Sequence, residues 1–319
     1  MAALDVAVLD DYQGLARDYG PWERLAGRVR LHSLSDHLED DDALILRLEA
    51  FPVVVAMRER TAFSKARLER LSRLQLLVTT GMGNAAIDLR AARQCGVLVS
   101  GTSIRMGSTG ELTWGLILAL TRRICEEHAN IRAGGWQRTI GPELAGRTLG
   151  LIGLGGIGTQ VAGYGAAFGM RVIAWSENLD PARAAGLGVQ AVAKEELLAR
   201  SDIVSIHTRL SERTRGLIGV REFELMGPST YLINTSRGPI IDEQALLGAL
   251  HGRRIAGAAL DVFEIEPLAP DHPLRSAPNT VLTPHLGYVG EDTYRSFYAE
   301  IVEDIEAWLD GSPIRVLTS

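Results

Sequence analysis

Thr148-Leu-Gly-Leu-Ile-Gly-Leu-Gly-Gly-Ile-Gly158 decides the fold of this chain. Thr148–Ile152 reads as a buried strand, and Thr159–Phe168, beyond the glycines, has helical spacing. The turn between them, Gly153-Leu154-Gly155-Gly156-Ile157-Gly158, fits GxGxxG. In that pattern the first glycine permits the tight turn and the second lets the backbone approach a pyrophosphate. The third lets the helix pack close to the strand, with phosphates at the helix N-terminus where free N–H groups point. A bare glycine turn also occurs where only close packing is needed. Here further strand candidates follow at Arg171–Trp175, Ile203–His207, Thr230–Asn234, Ala256–Leu260 and Thr280–Thr283. Strands separated by helical intervals and opened by this turn predict a doubly wound dinucleotide-binding domain.

Working outward, the first hundred residues alternate short apolar runs with amphipathic ones. Val6–Leu9, Val53–Met57, Leu74–Thr79 and Val97–Ser100 read as buried parallel strands, with helical spacing over Ala62–Leu71 and Ala85–Gln94. The tail Glu291–Leu309 is an amphipathic helix with Tyr294, Phe297, Tyr298, Ile301, Ile305 and Trp308 on one side. It follows the last strand of the nucleotide series and is therefore expected to return to the first domain. The predicted architecture is α/β, with two doubly wound parallel-sheet domains. A Rossmann domain at 102–286 is inserted into a flavodoxin-like domain formed by 1–101 and 287–319.

The 319 residues carry a formal net charge of −6 and no block of Lys or Arg, so neither nucleic acid nor an anionic membrane is an expected partner. Cys95 and Cys125 lack CxxC spacing, which argues against structural zinc and a disulfide framework and suits a reducing cytoplasm. No metal is expected. Cys125, inside the apolar run 111–125, reads as a buried small hydrophobe. The N-terminus has no basic n-region, and the apolar stretch Leu112–Leu120 is too short for a bilayer.

Three apolar, strand-like stretches in the C-terminal half each end by delivering one charge: 231–238 delivers Arg237, 256–267 delivers Glu266 and 281–287 delivers His285. Arg offers a planar fork of donors that stays charged at any working pH, and suits a small carboxylate. His can give or take a proton near neutrality, and a neighbouring carboxylate stabilises its imidazolium form. Singly, Arg237 could be a capping or phosphate-binding arginine, His285 a buried turn histidine and Glu266 a solvated loop charge. Jointly, at successive strand ends behind a dinucleotide turn, they fit the reduction of a 2-keto acid. Arg237 would bind and polarise the substrate, His285 would be the acid/base, and Glu266 would tune it. His207, which has no acidic neighbour in sequence, is placed with Thr208 and Arg209 on the cofactor side. The other histidines (32, 37, 128, 251, 272) are expected at the surface. At the ribose end Ser176 stands where an acid is expected, and Glu177 follows one residue late. Glu177 favours NAD, whereas Ser176 and Arg209 leave NADP open.

The segments Asn234-Thr-Ser-Arg-Gly238, Leu260-Asp-Val-Phe-Glu-Ile-Glu-Pro267 and Thr283-Pro-His-Leu-Gly287 resemble those of the D-isomer-specific 2-hydroxyacid dehydrogenases, over nearly the whole chain. The resemblance implies an NAD(P)-dependent oxidoreductase acting on a small D-2-hydroxy or 2-keto acid between two domains, with 1–101 and 287–319 as the substrate domain. It places Arg237, Glu266 and His285 in the catalytic positions. It sets Gly156 and Ile157 at the pyrophosphate, and Thr235 and Asp261 at the nicotinamide side. Thr80-Gly-Met-Gly-Asn84 looks like the substrate loop, with the N–H groups of Met82 and Gly83 on the carboxylate. Arg58 looks like a substrate-domain arginine, although a surface strand-end charge fits it as well. Glu111 matches a glutamate near the start of an interdomain helix, where a structural role is expected. Arg132-Ala-Gly-Gly-Trp-Gln-Arg-Thr139 looks like a dimerisation arm, so a homodimer is expected. Ser176 and Arg209 depart from the family's usual Asp and Pro. The alternative from another class is an NAD(H)-sensing binding protein or co-repressor-like regulator, which would need the glycine turn but no acid.

Overall fold

The computed structural model describes residues 3–103 and 107–318. The chain clusters into two compact units, Met1–Arg105 with Gly290–Ser319, and Met106–Val289.

In the first unit, β1 (Leu4–Val8), β2 (Val29–Ser33), β3 (Val53–Ala56), β4 (Leu76–Thr79) and β5 (Leu98–Gly101) form an all-parallel sheet in the order β2-β1-β3-β4-β5. This is the flavodoxin-like order, whose switch point lies at the carboxyl ends of β1 and β3. β3 and β4 are buried at every position, as strands covered on both faces must be. Asp40, Ser64 and Asp88 each accept a backbone N–H at the start of the helices Asp41–Leu48, Lys65–Arg70 and Leu89–Gln94. The terminal helix Glu291–Leu309 buries Tyr294, Phe297, Tyr298, Ile301 and Ile305, while Trp308 is half-buried. Sequence reading missed β2, because an edge strand that alternates Val29 and Leu31 with Arg30 and His32 has no continuous apolar run.

In the second unit, all strands expected from the sequence form, with ends shifted by at most one residue. They are β6 (Thr148–Ile152), β7 (Arg171–Trp175), β9 (Ile203–Ile206), β10 (Tyr231–Asn234), β11 (Gly257–Leu260) and β12 (Thr280–Leu282). A two-residue edge strand, β8 (Gln190–Ala191), was too short to announce itself. The order is β12-β11-β10-β9-β6-β7-β8, all parallel, which is the Rossmann arrangement with one strand more at its far edge. The helix Gly107–Thr121 stops before Arg123, whose φ of +51° is left-handed, and a second helix, Ile124–Arg132, begins there. That break corrects the reading of Cys125, which is exposed because it lies past the buried helix. Among the described residues no helix is long and apolar enough to cross a membrane.

One buried charge stands out in the first unit. Asp304, on the terminal helix, is fully buried; its Oδ1 accepts from Arg315 Nε at 2.9 Å, and its Oδ2 has no partner among the described residues. Arg315 also donates to Glu303 Oε2 at 3.0 Å and to the Glu300 carbonyl at 2.8 Å. Around it the last residues lie against the free edge of β5, with Leu317 N donating to Val99 O at 2.8 Å. Burial outweighs the Arg315 charge and pushes the Asp304 pKa from 3.8 up to about 7. Between those values the unfolded chain releases a proton that the folded chain keeps, so folding stability falls as pH rises through this window and levels off above it. Asp304→Asn should lack that slope. Urea denaturation from pH 4 to pH 8 should show the variant gaining on the wild type up to about pH 7, and parallel curves would refute the assignment.

Candidate active site

β10, β11 and β12 are adjacent, parallel and in register, with Asn234 opposite Leu260 and Leu260 opposite Leu282. Their carboxyl ends therefore open at one edge of the second unit, and Arg237, Glu266 and His285 lie on the segments that leave it. Asn234 shapes the first segment: its Nδ2 donates to Arg237 O at 2.9 Å, and its Oδ1 accepts from Ser236 N at 3.0 Å. Arg237 Nη1 donates to Ser236 O at 2.7 Å. The next residue, Gly238, is pressed onto the second segment. A Cβ there would lie 2.0 Å from the carbonyl carbon of Phe263. Phe263 N in turn donates to Glu266 Oε1 at 2.9 Å, which leaves Oε2 to take the His285 Nδ1–H at 2.6 Å. An ionised carboxylate only accepts, so this bond fixes the imidazole tautomer and leaves Nε2 for proton exchange.

The backbone under His285 is held as firmly as its ring. Asp261, fully buried, accepts Thr283 Oγ1 at 2.6 Å and Leu286 N at 2.7 Å on Oδ1, and Gly287 N at 2.8 Å on Oδ2. Its carbonyl accepts His285 N at 2.8 Å. His285 adopts a left-handed φ of +53°, uncommon for a residue with a side chain. Burial pushes the Asp261 pKa up, against the Thr283 and Leu286 bonds. From the other side, Ser108 and Thr109 hydroxyls donate to Gly287 O at 2.9 and 2.7 Å, and the Tyr288 ring meets the His285 ring edge-on at 5.3 Å. Sequence reading missed Ser108, Thr109 and Tyr288, although the first two stand in the segment that carries Glu111 and Tyr288 follows the Thr283–Gly287 motif. Thr235, expected at the nicotinamide, shares a hydrogen bond of 2.8 Å with Thr113 inside the unit.

The glycine turn discriminates between packing and ligand binding. A Cβ on Gly153, which has φ +102°, would come within 2.7 Å of His207 O, and one on Gly158 within 2.2 Å of Gly153 O. The chain's own packing thus requires those two glycines. Among the described residues a Cβ on Gly155 would meet nothing within 4 Å, yet Gly155 caps the helix Gly156–Ala167 without a side-chain acceptor. Open space over uncapped N–H groups at Gly156 and Ile157 fits a pyrophosphate. His207 N donates to Ile152 O at 2.7 Å, and its Nε2 lies 2.9 Å from Ser205 Oγ. Burial pushes the His207 pKa down to about 4, so its ring is neutral at physiological pH. Thr208 O accepts the Ser236 hydroxyl, which ties this strand end to the Arg237 segment. Ser176 is half-buried at the end of β7, whereas Glu177 and Arg209 are exposed.

In the first unit Arg58, at φ +51°, donates from Nη1 to Thr80 O at 2.9 Å and from its main-chain N to Thr80 Oγ1 at 2.8 Å. Asn84 Nδ2 donates to Arg58 O at 2.6 Å, so Arg58 and the Thr80–Asn84 loop form one assembly. Met82 is 49% exposed, and Gly83 has open space at its Cβ position. Glu111, in the second unit, is exposed. His37 departs from the surface placement expected of it. Its side chain is 14% exposed and bonds Asp10 Oδ1 at 2.8 Å, a partner 27 residues away that no local pattern reveals. That carboxylate raises the His37 pKa.

Comparison with known proteins identifies the family to which the chain is similar. The model of the D-isomer specific 2-hydroxyacid dehydrogenase NAD binding domain matches residues 114–287. A glyoxylate reductase of Aeropyrum pernix is 40% identical over 254 residues, 76% of this chain and 76% of its own. A D-3-phosphoglycerate dehydrogenase of Archaeoglobus fulgidus is 35% identical over 86% of this chain, which spans only 52% of that relative's length. The crystal structure of a phosphoglycerate oxidoreductase from Vibrio cholerae is similar at a TM-score of 0.93 and 34% identity, over 97% of this chain and 99% of that one.

The contact between Gly238 and Phe263 makes the bracing testable. Gly238→Ala should destabilise the second unit by on the order of 1–3 kcal/mol, as overpacking does, and should lower turnover by moving the support of Glu266. A melting temperature and turnover equal to wild type would show that the two segments are not braced in this way.

Proposed function

The chain belongs to the D-isomer-specific 2-hydroxyacid dehydrogenases, NAD(H)-dependent oxidoreductases of 2-hydroxy and 2-keto acids, and on that premise we propose how its residues divide the reaction. Bound NAD(H) supplies the hydride donor or acceptor, cradled by Gly153, Gly155, Gly156, Ile157 and Gly158. Arg237 orients the substrate carboxylate and polarises its carbonyl oxygen with a guanidinium that stays charged. His285 Nε2 delivers a proton to that oxygen during reduction and removes it during oxidation. Glu266, bonded to Nδ1 at 2.6 Å, holds the ring and stabilises its imidazolium form. The N–H groups of Met82 and Gly83, with Arg58 behind the loop, are assigned to the substrate carboxylate; residues 1–101 and 287–319 would then be the substrate domain, and 102–286 the NAD(P)-binding domain. The observation that carries this reading is the His285–Glu266 pair on strand ends next to that of Arg237, behind a turn whose middle glycine faces open space.

The substrate class is a small 2-keto acid such as glyoxylate, hydroxypyruvate or pyruvate. NADH oxidation against these and phenylpyruvate should show turnover. His285→Asn should lower kcat by roughly 10²–10⁴, the usual cost of a lost general acid, and near-normal turnover would remove His285 from the chemistry. Arg237→Ala should damage kcat and KM together, and an effect on neither would refute its placement. Tight cofactor binding with no turnover on any acid would instead favour a sensor.

A homodimer and a cytoplasmic location complete the proposal. Ile124, Ile131, Trp136 and Ile140 are 52%, 49%, 76% and 97% exposed, and several line a groove of about 760 Å³. Large apolar side chains clustered around one arm suit a second copy of the chain. Light scattering should give twice the chain mass, and Trp136→Glu with Ile140→Glu should give a folded monomer. A wild-type monomer would discard the dimer.

A further inference from the structure

The ribose end of the cofactor cradle carries a cation that the sequence pattern did not single out. An acidic residue about 20 positions beyond the glycine turn reads the 2′-hydroxyl of NAD, and an arginine nearby accommodates the 2′-phosphate of NADP. In this chain the position at the end of β7 is Ser176, held beside the turn because Gly153 N donates to Trp175 O at 2.8 Å. The chain then reverses through a turn closed by Leu179 N to Ser176 O at 3.1 Å, and enters the short helix Pro181–Gly186 capped by Asp180. That reversal returns Arg183 to the glycine turn, where its Nη2 donates to Leu154 O at 3.3 Å. No carboxylate among the described residues pairs with Arg183. On the other flank β9 ends in His207-Thr208-Arg209, and β6 lies between β7 and β9. The turn is therefore flanked by an arginine on each side, with a hydroxyl in the acid's place.

We propose that Arg183, with the Ser176 hydroxyl, forms a site for the 2′-phosphate of NADP(H), so that the enzyme accepts NADP(H) as well as NAD(H). A guanidinium meets a phosphate with two parallel N–H donors, and a serine can donate where a carboxylate would repel. Glu177 opposes this, but it is exposed, and solvent and salt screen it. Arg183 is exposed too, but its Nη2 is tied to the turn at Leu154 O, which holds the guanidinium beside the ribose end. The proposal rests on the glycine turn holding a dinucleotide, so the test measures that separately.

Binding is measured by calorimetry with NADH, NADPH, 5′-AMP and 2′,5′-ADP, the last two differing only by the 2′-phosphate. Wild type should bind 2′,5′-ADP at least about tenfold more tightly than 5′-AMP. Arg183→Ala should erase that advantage while leaving the NADH affinity within about threefold, Arg183→Lys should keep part of it, and Glu177→Gln should enlarge it. Equal binding of the two probes by wild type, or an equal loss of NADH and NADPH affinity in Arg183→Ala, overturns the proposal while leaving the NAD(H) reading intact. Failure of wild type to bind NADH overturns both.

Discussion

The site depends on one buried carboxylate. Asp261 receives a hydroxyl and two N–H groups from residues 283–287, while its own carbonyl receives the His285 N–H. A buried carboxylate without such donors would be strongly unfavourable, and with them it becomes a rigid anchor. The anchor sustains a backbone conformation at His285 that costs about 1–3 kcal/mol in a residue with a side chain. It follows that His285 Nδ1 points at Glu266 because the chain beneath it is held, rather than because the pair attract each other through solvent.

The glycine turn shows the complementary case, in which an unused space is the informative feature. Gly153 and Gly158 would be glycine whether or not anything bound, since backbone atoms of His207 and Gly153 occupy the room a side chain would need. Gly155 has no such reason. A motif match cannot separate these cases, because it weighs all three positions alike; the contacts around each Cβ can.

What was legible in the sequence follows from how local each signal is. The strands of the second unit were readable because buried parallel strands are continuous apolar runs, and the charges that end β10, β11 and β12 stood in short segments. β2 and β8 escaped because edge strands carry half-exposed or very short patterns. Asp304, His37 and Arg183 escaped for a different reason. Each takes its meaning from a partner outside its own element: Arg315 from the chain's end, Asp10 from the end of β1, and Leu154 from the glycine turn. Cys125 was misread as buried because a helix break at Arg123 leaves no mark in hydropathy.

His207 and His285 make the same point about chemistry. Both follow sheet strands by one to three residues, and composition cannot rank them. His207 is half-buried, shares its Nε2 with a serine and has no carboxylate at its ring among the described residues, so burial of the imidazole leaves it neutral. A neutral ring packed under the glycine turn can support the cofactor's resting place but has no readily held proton to give. His285 is half-buried as well, but its Nδ1 is bonded to an acid that can share the charge of an added proton. Environment, rather than residue type or strand-end position, therefore assigns the acid.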